Sequence, residues 1–283
     1  MPILEKSSPL DEQLPLFEDP AFIYWETQKL WKHRATRFGR EVQKYWLNLN
    51  AGRIPPPAPK FYAEAPVFKL ALRPELLEIS YFDLLRRRRT NRGPTATKRR
   101  LSFPEFSTWI ACGGGAQQLF APHETPRGTP YSPRCTAGPG GIYPTELYFL
   151  NLGVETLPLG IYHFHPIHGV LRQIREGLTY QEAASVLPQP KASILTRNAA
   201  GVLIATSMFD RLRQKYGTRF VRFAAIDAGT TYQALDYAAC ALDLVFYPQG
   251  SLYENETCEL LGIDGTTEGI MWGGVLGCSP ASE

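Results

Sequence analysis

No two of the five cysteines (Cys112, Cys135, Cys240, Cys258 and Cys278) form a CxxC pair. That excludes zinc ribbons and thioredoxin-like redox motifs, which need two thiols within a turn of each other. The odd count, and the lack of a basic-then-apolar leader in MPILEKSSPLDEQLPLF, point to a reducing, cytoplasmic setting. No apolar run approaches the length that spans a bilayer, so no membrane partner is expected. An excess of one charge is also missing. The net charge of +3 is too small to imply a nucleic-acid partner. A dinucleotide-binding glycine fingerprint is absent as well. What remains is 283 residues, 44% hydrophobic, enough for one large domain or a domain with an extension. Such a core needs neither disulfides nor a structural metal.

Glycine and proline are concentrated in one place. Thr136 to Tyr148 reads TAGPGGIYPTELY and runs directly into an apolar segment. Gly138, Gly140 and Gly141 lack side chains, so backbone there can approach a flat ligand. Pro139 and Pro144 stiffen the same stretch. The loop reads as a cofactor or substrate cradle, or as an ordinary tight connection.

Around it the pattern is mixed. Residues 1–19 read as a loose arm, and AFIYWETQKLWKHRATRFGREVQKYW has helical spacing. RIPPPAPKFYAEAP reads as an extended connector. Ser80 with Asp83, Ser102 with Glu105 and Thr179 with Glu182 mark three helix starts. ELYFLNL, GIYHFHP, GVLRQI, AGVLIATSM and the stretch from Gly269 to Cys278 read as strands. Arg219 to Leu244 reads as a long helix rich in small residues, with a break or kink at Gly229. The class is α/β or α+β. The expected division is an N-terminal helical extension and linker, 1–70, and a main domain, 71–283.

Four groups could carry chemistry. RRRRTNR, from Arg86 to Arg92, offers guanidinium forks for phosphate, or is a solvated helix C-terminus. His163, His165 and His168 form HxHxxH. Two of them share a strand face, but no carboxylate or cysteine lies near in sequence, so no metal is expected. Cys135 borders the loop without an evident base. Lys215-Tyr216 sits in a stretch of turn composition, and a desolvated lysine can act as a base.

RRRTNR, then TAGPGGIYPTELYF, then GIYHFHPIHGVL, then KYGTRFVRFAAIDAGTTYQAL, in this order, resembles the SagB/ThcOx-type dehydrogenases of the nitroreductase superfamily. HRATR at His33 to Arg37 also resembles a segment of the free-standing members. The resemblance implies an α+β nitroreductase-like fold, with a mainly antiparallel central sheet flanked by helices and an intertwined homodimer binding FMN at its interface. It implies FMN-phosphate and ribityl contacts from Arg88, Arg89, Thr90 and Arg92. It puts the flavin ring against Gly138, Pro139, Gly140 and Gly141, and catalysis at Lys215 and Tyr216. The implied activity is oxidation of a peptide or peptide-derived natural product, azoline to azole. An NAD(P)H-dependent nitro- or quinone reductase and an inactive scaffold of a biosynthetic complex are the alternatives. Two departures stand out: Gly138 replaces an expected serine, and the tail GVLGCSPASE has no basic residue. Arg219 or Arg222 could then meet the phosphate.

Overall fold

The computed structural model describes residues 20–89, 100–120, 132–188 and 199–278. Thr90 and Arg92 lie outside the described residues. The N-terminal helical stretch is two helices, α1 (Pro20–Thr27) and α2 (Lys32–Asn50), separated by a short break. The proline-rich connector contains neither helix nor strand up to residue 66. It then enters a short strand, β1 (Val67–Lys69), on the N-terminal side of the division expected at residue 70.

The three expected helix starts carry their caps. Ser80 accepts a hydrogen bond from the Asp83 N–H at 3.0 Å and opens α3 (Tyr81–Arg87). Ser102 and Glu105 form a reciprocal capping box at the start of α4 (Phe103–Cys112). Thr179 and Glu182 do the same for α5 (Tyr180–Ser185). Each cap contributes about 1 kcal/mol by satisfying amides the helix cannot.

The remaining strands are β2 (Thr145–Asn151), β3 (Gly160–His165), β4 (Val170–Glu176), β5 (Gly201–Met208), β6 (Leu244–Gln249) and β7 (Glu268–Cys278). They form a seven-stranded sheet in the order β1-β4-β3-β2-β5-β7-β6. Among the described residues every pairing is antiparallel. The class is therefore α+β.

Alternation along β2 divides the core between the two faces. Leu147 and Phe149 join Phe106, Trp109 and Phe246 beneath α4 and α7 (Phe220–Ala241). The Trp109 indole donates to the Leu235 carbonyl of α7 at 3.0 Å. Tyr148 and Leu150 face the opposite way, toward α5 and α8 (Glu254–Leu261). Each fully buried large side chain adds about 1.5–3 kcal/mol. With both faces covered, β2 and β5 read as nearly continuous apolar runs.

Helix α7 is continuous through Gly229, so the expected break is not there. The helix is held by packing along its length, and one exposed glycine costs only about 1 kcal/mol. A further helix, α6 (Phe209–Tyr216), follows β5 directly. It packs with α2 in a third cluster of Tyr45, Leu49, Ile142, Leu212 and Ala224.

Candidate active site

The glycine loop emerges ahead of β2 as a single tight turn. Pro139 begins it, and Gly140 and Gly141 follow with φ of 57° and 68°. Two successive left-handed residues suit glycine and almost nothing else. Ile142 is buried among α2, α6 and α7 and anchors the turn. Tyr143 also has positive φ, 49°, which costs a non-glycine residue roughly 1–2 kcal/mol. Three contacts hold it there. The Arg134 N–H donates to its hydroxyl at 3.3 Å. The Arg134 guanidinium lies 5.1 Å over its ring. Arg211 donates to its carbonyl at 3.4 Å.

The two informative glycines face this chain's own side chains. A Cβ on Gly138 would meet the Tyr143 ring at 2.5 Å and Asp227 Oδ1 at 2.9 Å. This gives a physical reason for glycine where the SagB/ThcOx resemblance implies serine. A Cβ on Gly140 would overlap Lys215 Nζ and Tyr216 Oη. Lys215 and Tyr216 therefore converge on the loop across a long sequence separation.

Lys215 and Tyr216 form the last turn of α6, which ends at Gly217 with φ of 54°. Lys215 is 3% exposed. Its ammonium donates to the Gly140 carbonyl at 3.2 Å. The rings of Trp46, Tyr216 and Tyr45 stand 4.1, 5.1 and 5.5 Å away. Among the described residues no carboxylate forms an ion pair with it. Burial lowers its pKa to about 8. Tyr216, packed 4.1 Å from Phe223, is pushed up to about 12 by burial and by Tyr45. Near neutral pH the pair thus offers a lysine within reach of its neutral form and a tyrosine that keeps its proton.

Behind the loop lies a second set of charges. Asp227 of α7 accepts from the Thr145 N–H at 3.2 Å and its hydroxyl at 2.6 Å. Burial raises its carboxyl to about 6, against the opposing pull of Thr145, Arg134 and Arg211. Glu146 of β2 takes Arg211 at 2.6 Å and His163 at 2.7 Å. Burial works to raise its carboxyl, but Arg211 and His163 prevail and hold it well below the usual range. Further along, Glu268 takes Lys60 at 2.6 Å, Tyr148 at 2.8 Å and Thr206 at 2.6 Å. None of these acids was singled out from the sequence. The available signal was a charged residue within an otherwise apolar pattern, as at Glu146 in PTELYF.

The other sequence candidates lie elsewhere. Arg88 faces Asp236 of α7 at 3.6 Å. Arg89 is exposed and donates to the carbonyls of Arg86 and Arg88 at 2.6 and 2.9 Å. Asp236 and Asp227 are nine positions apart on α7, about 13 Å along the helix and half a turn round. Arg88 therefore packs on a different side of α7 from the loop. His163 binds Glu146, whereas His165 stacks on His168 at 4.2 Å. Cys135 donates to the carbonyls of Cys112 and Ala111 at 3.2 and 3.4 Å. Arg219 donates to the Gln28 carbonyl, and Arg222 lies 4.5 Å over Trp25.

Residues 143–277 match the nitroreductase family model. The matched segment contains Glu146, Lys215, Tyr216 and Asp227 and begins just after the glycine turn. A curated candidate nitroreductase of Methanocaldococcus jannaschii is 30% identical over 125 residues. That match spans 44% of this chain and 61% of the relative, less than two thirds of its length. Three solved structures are similar in fold. One is a candidate nitroreductase from Anabaena variabilis, with TM-score 0.60, 22% identity, and coverage of 78% of this chain and 43% of that one. A second, from Ralstonia eutropha, has TM-score 0.57, 16% identity, and coverage of 81% and 96%. The third is a chain of the Escherichia coli microcin synthetase McbBCD complex with truncated pro-MccB17 bound, with TM-score 0.55, 16% identity, and coverage of 89% and 98%. The fold is nitroreductase-like.

Proposed function

We propose that this chain is an FMN-dependent oxidoreductase of the SagB/ThcOx type, a dehydrogenase that converts an azoline in a peptide or peptide-derived natural product to an azole. The observation that carries the reading is the convergence of Lys215 and Tyr216 on Gly140. The loop is partly open to a ligand: Gly140 is exposed and Gly138, Pro139 and Gly141 are half-buried, while the sides where Gly138 and Gly140 would carry a Cβ are taken by Tyr143, Asp227, Lys215 and Tyr216. When bound there, FMN supplies a two-electron hydride acceptor. Lys215 Nζ takes the proton from the substrate carbon, and Gly140 and the surrounding rings hold that nitrogen in place. Tyr216 keeps its hydroxyl proton and donates to the developing charge. Arg88 and Arg89, with Thr90 and Arg92, would hold its phosphate. Since Arg88 packs on another side of α7 from the loop, this assignment implies that a second copy completes the site, as a homodimer. A cytoplasmic enzyme working with a biosynthetic-complex partner accords with this chemistry.

The test is FMN-supported azole formation from an azoline peptide, after the flavin released from purified protein has been identified. Lys215→Ala is expected to lower kcat/KM about 10²–10⁴-fold, as loss of a general base does, and Tyr216→Phe less. Wild-type kcat/KM should climb as pH passes about 8, where Lys215 becomes neutral. Full activity in both variants overturns the assignment. The name of the Methanocaldococcus jannaschii relative favours a second reading, an NAD(P)H-dependent nitro- or quinone reductase. NAD(P)H consumption with a quinone, without azole formation, would select it.

A further inference from the structure

A cleft of about 450 Å³ opens beside Lys215 and Tyr216, between α1–α2 and the turn that follows α6. Its charged lining is Lys29, Arg34, Arg37, Glu41, Lys215 and Arg219. We propose that this cleft binds a carboxylate-bearing segment of the substrate and presents the neighbouring residue to Lys215. The inference rests on the dehydrogenase reading of Lys215 and adds to it a substrate class, an acidic peptide.

The charge balance is one-sided. Lys29 is engaged by Glu26. Among the described residues Glu41 is the one acid in the lining. Arg34 and Arg37 are both exposed, and among the described residues neither forms an ion pair. They stand three positions apart on α2, where like charges repel unless an anion lies between them. Arg219 is set deeper. It donates to the Gln28 carbonyl, and its guanidinium lies 5.5 Å from the Phe38 ring and 5.9 Å from the Phe223 ring. Its Nε is buried and has no hydrogen-bond partner among the described residues. A planar guanidinium held against two rings adds a fixed positive charge to the lining. The volume lies within the range of small-ligand sites and has room for a few residues of peptide.

An oxyanion could come from a substrate carboxylate or from a flavin phosphate. The position favours the carboxylate, because the cleft adjoins Lys215 and Tyr216, the reactive end of the site. Calorimetry on the full chain separates the sources. The probes are acetyl-tetraglutamate amide, its tetraglutamine counterpart, and FMN, each titrated separately. Tetraglutamate is expected to bind at least about tenfold more tightly than tetraglutamine and to weaken as salt is raised. Arg34→Gln with Arg37→Gln, both at exposed positions and checked by circular dichroism, should weaken tetraglutamate about tenfold and leave FMN within about twofold. Equal binding of the two peptides, or binding of neither, overturns the proposal. So does a variant that loses FMN but keeps the peptide. Tetraglutamate binding by a chain that takes no flavin upholds the cleft and removes the redox reading.

Discussion

Glu146 and Lys215 are almost equally buried, 2% and 3% exposed, yet their surroundings are opposites. Glu146 has a guanidinium on one oxygen and an imidazole on the other. Lys215 has three aromatic rings and one carbonyl. A buried charge with partners can hold elements together, since removing either partner leaves the other stranded. A buried charge without a counter-ion costs stability, and the environment that imposes the cost also tunes reactivity. The Glu146 network ties β2, β3 and α6 together, while Lys215 sits where the base role we propose for it calls for a neutral amine.

The largest effect should come from breaking the paired side. Glu146→Gln keeps the shape but strands Arg211, and is expected to cost about 3–5 kcal/mol in urea unfolding. Adding Arg211→Met should recover a good part of it, because the stranded charge is then gone. A cost below about 1 kcal/mol would erase the comparison. The pH dependence has a definite sign. Glu146 has a lowered carboxyl pKa in the fold, so its contribution is present above the ordinary glutamate range and is lost as pH falls. Asp227, raised to about 6, acts in the other direction: its cost is relieved as pH falls through 6.

Reversing the sign on the unpaired side is the next test. Lys215→Met keeps the length, fills the aromatic cage and removes the charge. It is expected to stabilise the fold by about 2–3 kcal/mol at pH 7 while abolishing the base chemistry we propose for Lys215. The wild-type ammonium is disfavoured in the fold, with a pKa of about 8 against 10.5 unfolded. Its cost is therefore complete below pH 8 and fades as pH rises from 8 toward 10.5. The difference between variant and wild type should close over that interval in thermal or urea unfolding. A destabilised variant at pH 7 would mean that Lys215 is structural.

Much of this was readable in the sequence wherever the signal is local. Three caps, the apolar runs of β2 and β5, and the long α7 are written within a few residues each. Helix α6 was not readable, because FDRLRQKY mixes charges with few apolar residues, and what fixes it is Leu212 and Lys215 packing against α2. Strand β6 was hidden by Pro248, which is tolerated because β6 is the last strand of the sheet. In the site, the glycine loop and the Lys–Tyr pair each stood out alone. Their meeting could not be read, since 75 residues separate Gly140 from Lys215. Nor could the network of Glu146, whose partners come from β3 and α6.

The smallest expected effect probes that meeting directly. Gly140→Ala places a Cβ on a residue with φ of 57° and into the space of Lys215 Nζ and Tyr216 Oη. The backbone part should cost roughly 1 kcal/mol and is present in any background. The steric part depends on the lysine being there. Gly140→Ala is therefore expected to cost about 2 kcal/mol in the wild type and about 1 kcal/mol in a Lys215→Ala background. The remaining 1 kcal/mol is the coupling that a double-mutant cycle isolates. A cycle that closes to zero would mean that lysine and loop are merely neighbours, and that the Gly140 carbonyl does not hold Nζ in place. A coupling of the expected size would make the glycine part of the lysine's site, chosen for the space it leaves to the lysine nitrogen as well as for the turn it permits.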